Sequence, residues 1–360
     1  MSLSPSISET FDELPPPIVG PQAWHGPQMG KSDEWIYQLT DDDITEIEAA
    51  VQPLAAREAD IAHMTRVDFP LPGLGPKLSG FREEILNGRG FVLMRGLPVE
   101  RYSIREAATA YFGIGTWFGN ARSQNAMGHV LGHVYDLGRN AETDPTARVY
   151  QSRERQTYHT DSCDIVALLC LQTAKSGGLS AIVSSMTIYN EMCRQRPDLV
   201  RVLFAPFATD RRGEIPEGKK PYHETPVYNW HNGYLSAIYA RRYIDSARRF
   251  DDVPPLTPVQ VEALNTLDAL ANDPRLNLHM EFQPGDMQWL HNHTIMHDRT
   301  AYEDWDEPER KRHLLRLWLA APGARPLPEV YCNRYGKVDI GDRGGIIVPG
   351  AMLNAPLEVV

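Results

Sequence analysis

Cysteine is scarce in this sequence, with four residues in a chain of 360. None of the four belongs to a Cys-x-x-Cys pair, and a chain of this length can build its core without covalent cross-links. No disulfide framework is therefore predicted. Cys170 lies inside an apolar run, where a cysteine behaves as a small buried hydrophobe.

Basic clusters and long apolar runs are also missing. No Lys/Arg block interrupts a chain whose formal net charge is -11, which argues against nucleic-acid binding. No segment reaches the roughly 18 consecutive apolar residues of a membrane helix. Residues 1–17 lack the basic start and the apolar core of a signal peptide. We therefore expect a cytoplasmic protein that binds neither nucleic acid nor membrane.

The rest of the composition is that of a globular protein, with 42% hydrophobic and 23% charged residues. We predict an irregular N-terminal arm over residues 1–40. A single domain is expected over 41–330, with a helical N-terminal part and an insertion around 185–275. Residues 331–360 are expected to form a loop-rich C-terminal tail.

Hydrophobic periodicity predicts helices at the front of the chain and short strands after them. Helices are expected over 41–64 and 257–271, and Asn232-Gly233 is a turn pair typical of a β-hairpin. The predicted strands cover 91–94, 129–135, 156–162 with its apolar extension 165–171, 180–183, 278–282, 287–290 and 314–319. This order favours a mainly β fold with peripheral helices (α+β), built on a sandwich or barrel, over a βαβ array.

His159 and Asp161 stand two residues apart within Gln156–Ser162. On a β-strand, residues i and i+2 point to the same face, so the imidazole and the carboxylate can aim at one point. They would supply two members of the 2-His-1-carboxylate triad that holds non-haem Fe(II). The pattern alone also fits a histidine and an aspartate that merely hydrogen-bond to their neighbours.

A third ligand has to come from another strand, far along the chain. The segment after Gly285 offers three candidates, His291, His293 and His297. Spacing does not choose among them. Each can instead hydrogen-bond the backbone at a turn.

Arg312, Leu314 and Arg316 share one face if their segment is a strand. Two arginines directed into an otherwise apolar strand are costly to bury without anionic partners, and a guanidinium fork suits a carboxylate. The alternative is an exposed basic face that pairs with the acidic residues before it. These are Asp304, Asp306, Glu307 and Glu309.

Taken in order, the motifs resemble the TauD/TfdA family of Fe(II)/2-oxoglutarate-dependent dioxygenases, over roughly residues 80 to 325. The matching motifs are His159-x-Asp161, Gly177-Gly178-Leu179-Ser180, Pro284-Gly285-Asp286 leading to Trp289, Asn292-x4-His297 and Arg312-x3-Arg316. The resemblance implies a double-stranded β-helix (jelly-roll) core. It also implies Fe(II) as cofactor, with 2-oxoglutarate and O2 as cosubstrates.

In that family the metal ligands correspond to His159, Asp161 and His297. His291 and His293 then become structural or supporting residues. The retained carboxylate of Asp161 is typical of hydroxylation or desaturation, because related halogenases have a small residue there that makes room for halide.

The resemblance also implies a cosubstrate pocket. The arginine that binds the far carboxylate of 2-oxoglutarate matches Arg312. The hydroxyl that assists it matches Ser180, where the family commonly has threonine. Arg316 matches an arginine that approaches the substrate anion in sulfonate-oxidising members, so it is expected to contact either substrate or cosubstrate. No taurine-type pocket can be matched in this chain.

The implied function is oxidation of a small organic molecule that bears a carboxylate or another anion, by hydroxylation or desaturation, with release of succinate and CO2. Two other interpretations are a jelly-roll binding protein with a vestigial metal site and a zinc hydrolase on the same ligands. The intact ligand set argues against the first, and the Ser180/Arg312 pair argues against the second. A homo-oligomer, dimer or tetramer, is expected by the same resemblance.

Overall fold

A computed structural model of the chain describes residues 13–139, 144, 147–348 and 350–359. Within these residues the strands are β1 (Ile36–Gln38), β2 (Phe91–Arg95), β3 (Asn120–Ala121), β4 (Gly132–Tyr135), β5 (Gln156–His159), β6 (Ile165–Gln172), β7 (Ser176–Gly177), β8 (Ser180–Ser184), β9 (Pro206–Asp210), β10 (Tyr222–Pro226), β11 (Tyr228–His231), β12 (Tyr234–Ala237), β13 (Leu278–Met280), β14 (Met287–His291), β15 (Ile295–Arg299), β16 (Tyr302–Glu303) and β17 (His313–Ala320). The helices are α1 (Gly26–Met29), α2 (Asp41–Ala56), α3 (Leu74–Asn87), α4 (Ile104–Gly115), α5 (Ser185–Gln195), α6 (Pro197–Leu203), α7 (Arg241–Ala247), α8 (Pro258–Ala271) and α9 (Cys332–Tyr335). Every helix in these ranges is too short or too polar to span a membrane.

Two sheets pack face to face and form the double-stranded β-helix. The larger has the order β1-β2-β14-β6-β17-β3, with β4 also on β17, and the smaller has the order β13-β8-β15-β5. Side chains of both sheets meet in one apolar cluster, which includes Val166 and Trp318 from the larger sheet and Ile182 and Ile295 from the smaller. The architecture agrees with the expected mainly β, jelly-roll core.

Helices cover the outer faces of both sheets. Helices α2, α3 and α4 share a core with the larger sheet, and α5, α6 and α8 share one with the smaller. This explains the uninterrupted apolar run of β6, because a strand covered on both faces needs apolar residues at every position. Ala167 and Leu169 pack toward the helices, whereas Val166 packs toward the smaller sheet.

Most of the predicted elements are present, with some changed boundaries. The helix predicted over 41–64 ends at Ala56, and a single 3-10 turn follows at Ile61–His63. The strand predicted over 129–135 begins at Gly132. Asn232 and Gly233 have φ values of +48° and +81°, as a tight hairpin turn requires. Strands β9, β10 and β15 were not predicted.

Parts of the arm and of the tail are attached to the sheets. In the arm, β1 pairs in parallel with β2. In the tail, Arg343 is fully buried, and its Nε donates to Oδ1 of Asp164 at 2.8 Å. The division into arm, single domain and tail stays a prediction.

Candidate active site

The three predicted metal ligands lie next to one another. His159 ends β5 and is the register partner of His297 on β15. The ligand atoms of His159, Asp161 and His297 all lie within 4.8 Å of one another. Nε2 of His297 is 3.8 Å from Oδ2 of Asp161. Two imidazoles and one carboxylate in this arrangement can hold one ion and leave coordination positions open.

Asp161 is positioned by hydrogen bonds and not by strand pairing. The strand predicted over 156–162 ends at His159. The side-chain amide of Asn292 accepts from the Asp161 N–H at 2.7 Å and donates to the Asp161 carbonyl at 2.6 Å. Nε1 of Trp318 donates to Oδ2 of Asp161 at 2.9 Å. The carboxylate is therefore directed at the histidines although it lies beyond the end of the strand.

Burial and nearby charges set the protonation of these side chains. Burial lowers the pKa of His297 to about 3, and His159 adds to the shift. Burial also lowers the pKa of His159. For Asp161 burial acts to raise the pKa, but Arg316 and the two histidines outweigh it, and the pKa lies below its usual value. Neutral imidazoles and an ionised carboxylate are the forms that bind a metal.

A cavity of about 450 Å³, including its opening, adjoins the two histidines and is lined by Arg312. Arg312 is 4% exposed, and its Nη1 has no hydrogen-bond partner among the described residues. Its guanidinium lies 5.2 Å from the ring centroid of Tyr302. Ser180 lines the same cavity, and its Oγ accepts from Gln288 at 3.5 Å. Since a buried, incompletely paired guanidinium is unfavourable without an anion, the cavity fits a carboxylate.

Arg299 is a second cation in this cavity, and it was missed by the sequence analysis. It follows His297 by two positions on β15, and its register partner is Ser180. It is 7% exposed, and its Nε and Nη1 have no partner among the described residues. The spacing His297-x-Arg299 would have indicated one shared face, but only if the segment had been predicted as a strand.

Arg316 lines both this cavity and a larger one beside it. Its Nε donates to Oε1 of Gln124 at 2.8 Å, and its Nη1 is 3.6 Å from Oδ2 of Asp161. Arg316 is 6% exposed, and Leu314 and Arg312 line the smaller cavity with it. The prediction of a shared inward face is confirmed, and the alternative of an exposed basic face is wrong.

The larger cavity has a volume of about 970 Å³ including its opening, and His159 and Asp161 form part of its wall. The first turn of α7 contributes Arg241 and Arg242. Arg334 enters the same cavity from α9. No local pattern identified Arg334, because the tail after residue 330 was expected to be loop.

His291 and His293 line neither cavity. Nε2 of His293 lies 3.0 Å from Oδ1 of Asp164, and Nδ1 of His291 lies 2.9 Å from Oγ1 of Thr294. Both rings are buried in hydrogen-bonded positions, so their contacts support the structure around the ligands.

Comparison with known proteins gives consistent matches. The family model described as taurine catabolism dioxygenase TauD, TfdA family, matches residues 50–318. FR-33289 synthase of Streptomyces rubellomurinus is 32% identical over 329 residues, which are 90% of this chain and 96% of that protein. The taurine hydroxylase-like protein SAT17 of Stachybotrys chartarum is 32% identical and covers 84% of this chain and 81% of its own. Uridine-5'-phosphate dioxygenase of an Amycolatopsis species is 30% identical, over 51% of this chain and 68% of its own.

Solved structures of iron oxygenases share the fold. Asparagine oxygenase in complex with Fe(II), 3-hydroxyasparagine and succinate superimposes with a TM-score of 0.62 at 17% identity, covering 79% of this chain and 93% of that one. The non-haem iron oxygenase OrfP in complex with Fe and alpha-ketoglutaric acid gives a TM-score of 0.59 at 14% identity, with 79% and 93% coverage.

The family match spans most of the chain. Within the described residues, two histidines and one aspartate form a group able to hold a metal beside a cavity suited to a carboxylate. The chain therefore belongs to the TauD/TfdA family and is an iron- and 2-oxoglutarate-dependent oxygenase.

Proposed function

We propose that this enzyme hydroxylates or desaturates a small organic molecule that bears an anion. The observation that carries the proposal is the contact between two cavities at the ligand group. The smaller contains the buried, incompletely paired Arg312, and the larger is bordered by arginines and reaches Asp161.

Each side chain has a role in this proposal. His159, Asp161 and His297 hold Fe(II), and Arg312 with Ser180 binds the far carboxylate of 2-oxoglutarate. The bound iron supplies the oxidation of a C–H bond, with O2 consumed and with succinate and CO2 released. The protein holds the ligands in place and shields the reacting groups from water.

The larger cavity is assigned to the substrate. It is a concave site lined by apolar and charged side chains and bordered by His159 and Asp161, as expected for a small-molecule site. One relative is named as a dioxygenase of uridine-5'-phosphate, a compound that carries a phosphate ester. An anionic substrate is consistent with both the arginine-rich wall and this relative. Asp161 retains a carboxylate, which supports hydroxylation or desaturation over halogenation.

The proposal is tested without oxygen. Fe(II) and then 2-oxoglutarate are added to metal-free protein, and the visible metal-to-ligand charge-transfer band is recorded. We expect the band in the wild type and its loss in Asp161→Ala, because that variant removes the only carboxylate of the ligand group.

Melting temperatures of the two proteins show whether the variant is folded. A band of wild-type intensity in folded Asp161→Ala would show that the assignment of Asp161 as a metal ligand is wrong. Folded wild-type protein that binds metal but gives no band would favour the zinc-hydrolase interpretation. Once the band is established, succinate release on addition of candidate compounds identifies the substrate.

A further inference from the structure

A cluster of arginines, of which Arg148 and Arg334 line the larger cavity, carries more positive charge than its carboxylates neutralise. Five arginines gather around Tyr243 and the end of β9. They are Arg148, Arg211, Arg212, Arg249 and Arg334. Among the described residues only two carboxylates form ion pairs with them: Asp210 pairs with Arg212 and Arg249, and Glu214 pairs with Arg148.

Arg334 is the cavity-lining member of this cluster without a carboxylate partner in the described part of the chain. Its Nε donates to Oγ of Ser162 at 2.6 Å. No described residue accepts a hydrogen bond from its two terminal nitrogens. Ser162 follows Asp161 directly in the chain, and Asp161, Ser162 and Arg334 line the same cavity.

Tyr243 lines the same cavity as Arg334 and contacts Arg148. Its hydroxyl accepts from Nη1 of Arg148 at 3.1 Å, and the side chain lines the cavity. Burial acts to raise the pKa of Tyr243, yet Arg148, Arg212 and Arg334 outweigh it and the pKa is lowered. The electric field at this wall therefore stabilises a negative charge.

The two arginines that α7 contributes to the cavity already have carboxylate partners. Arg241 pairs with Asp245 and Asp268, at 2.9 Å and 2.8 Å. Arg242 pairs with Glu154 at 2.9 Å. An anion that enters the cavity thus meets uncompensated charge at Arg334 and not at α7.

We propose that Arg334 and Arg148, which line the same cavity as Tyr243, bind a doubly charged tetrahedral oxyanion of the substrate, a phosphate ester or a phosphonate. The proposal rests on the proposed function, because it names the substrate class for the same cavity. A phosphate ester carries close to two negative charges at pH 8, since its second pKa is about 6. A carboxylate or a sulfonate carries one, and would leave more of this charge uncompensated.

The test is calorimetric titration of the protein loaded with Fe(II) and 2-oxoglutarate, without oxygen and at pH 8, so that the metal and Arg312 are already occupied. The probes are methyl phosphate and methylphosphonate, compared with methanesulfonate and acetate. We expect a phosphoryl probe to bind at least about tenfold more tightly than either singly charged probe. Tighter binding of methyl phosphate or of methylphosphonate identifies which of the two groups the substrate carries.

Arg334→Gln is expected to weaken phosphoryl binding at least about tenfold, and Arg334→Lys to restore part of the loss. Arg148→Gln is also expected to weaken phosphoryl binding at least about tenfold. The proposal can therefore be tested even if one of the two variants does not fold. The control is Arg57→Gln, an exposed arginine at the end of α2 that lines neither cavity. It should bind the probes as the wild type does.

Equal affinity for singly and doubly charged probes would overturn the proposal, as would wild-type affinity in both folded variants. The charge-transfer band separates this failure from failure of the proposed function. If the charge-transfer band is normal but no phosphoryl probe binds, the anion subsite at Arg334 and Arg148 is disproved and the oxygenase assignment is unaffected. Phosphoryl binding by protein that gives no band after Fe(II) and 2-oxoglutarate have been added would keep the subsite and remove the residue roles proposed for iron and 2-oxoglutarate.

Discussion

At the residue scale, the buried and incompletely paired guanidinium of Arg312 indicates that this position binds an anion. Its Nη1 lacks a partner among the described residues, and burial acts to lower the pKa of its guanidinium. Gly178, with φ of +66°, leaves room for it, because a Cβ there would lie 3.0 Å from Nε of Arg312. An anion that enters this position gains a charge-assisted hydrogen bond.

We therefore expect Arg312→Ala to raise the 2-oxoglutarate concentration for half-maximal succinate release by at least about 30-fold, which corresponds to 2–5 kcal/mol for a buried charged pair. Arg57→Ala serves as the control and should behave as the wild type. An unchanged requirement in Arg312→Ala would transfer the anchoring role to Arg316 or Arg299.

Asn292 is the second residue whose effect can be measured directly. Its amide holds the backbone of Asp161 by two hydrogen bonds. Asn292→Ala should reduce Fe(II) affinity about 10- to 100-fold, as the loss of a group that orients a ligand commonly does. Equilibrium dialysis without oxygen measures this. Asn120→Ala, which removes a surface contact to the Gly341 carbonyl, should retain wild-type affinity, and an unchanged Asn292→Ala would show that Trp318 alone orients the carboxylate.

The sequence identified the side chains that form the ligand group, but not what holds them. Two-residue spacing put His159 and Asp161 together, and the resemblance supplied His297. Asn292 was part of a motif, but its role depends on a contact between loops that are distant in sequence. Arg334 could not be identified from the sequence either, because its position in the cavity depends on how the C-terminal tail packs against segments that are distant in sequence.

At the scale of secondary-structure elements, prediction succeeded where the local sequence pattern is clear. Strand β6 is apolar from Ile165 to Leu171, and α8 begins with a capping box of Thr257 and Gln260. Strand β15 was missed because it carries His297, Asp298 and Arg299, polar residues typical of a turn. All of its positions are buried, and tertiary contacts, not local propensity, determine its conformation.

Two imidazoles join β4 to β17. Nδ1 of His133 and Nε2 of His313 are 2.8 Å apart. Burial lowers the pKa of His313 to about 4, with His133 adding to the shift, and burial also lowers the pKa of His133. An unfolded histidine has a pKa of about 6.5, so on acidification the unfolded chain takes up the proton first. This contribution to stability is complete above about pH 6.5 and is lost toward pH 4.

Between pH 7 and pH 5, we expect the free energy of unfolding to fall by about 1–2 kcal/mol because the unfolded chain takes up protons at these histidines. Urea unfolding at the two pH values measures the change. His313→Gln should show a smaller fall, whereas His63→Gln, whose ring is largely exposed, should show the wild-type fall. Equal pH dependence in all three proteins would contradict the assignment.

At the scale of the whole molecule, the tail is tied to the core through Arg343. Its guanidinium donates to Asp164 and to the Arg325 carbonyl, and it is fully buried. Arg343→Met should destabilise the fold by about 3–5 kcal/mol, because it leaves Asp164 buried with an incompletely compensated charge.

The matched control is Lys337→Met, which removes a partly exposed pair with Asp342 and should cost less than about 1 kcal/mol. Urea unfolding midpoints compare the two variants. Similar midpoints for both would mean that His293 and the Ala321 N–H suffice to satisfy Asp164.

The order of the residues along the chain has a consequence for biosynthesis, because Arg334 and Arg343 follow the metal ligands and Arg312. Every residue assigned to iron and 2-oxoglutarate leaves the ribosome before them. A product that terminates after Ala321 would retain the residues assigned to iron and 2-oxoglutarate but would lack Arg334 and Arg343. Any fraction of it that folds is expected to give the charge-transfer band although its substrate cavity is incomplete. The charge-transfer band alone would therefore not distinguish a prematurely terminated chain from the full-length one. The intact mass of recombinant protein should be measured alongside every assay.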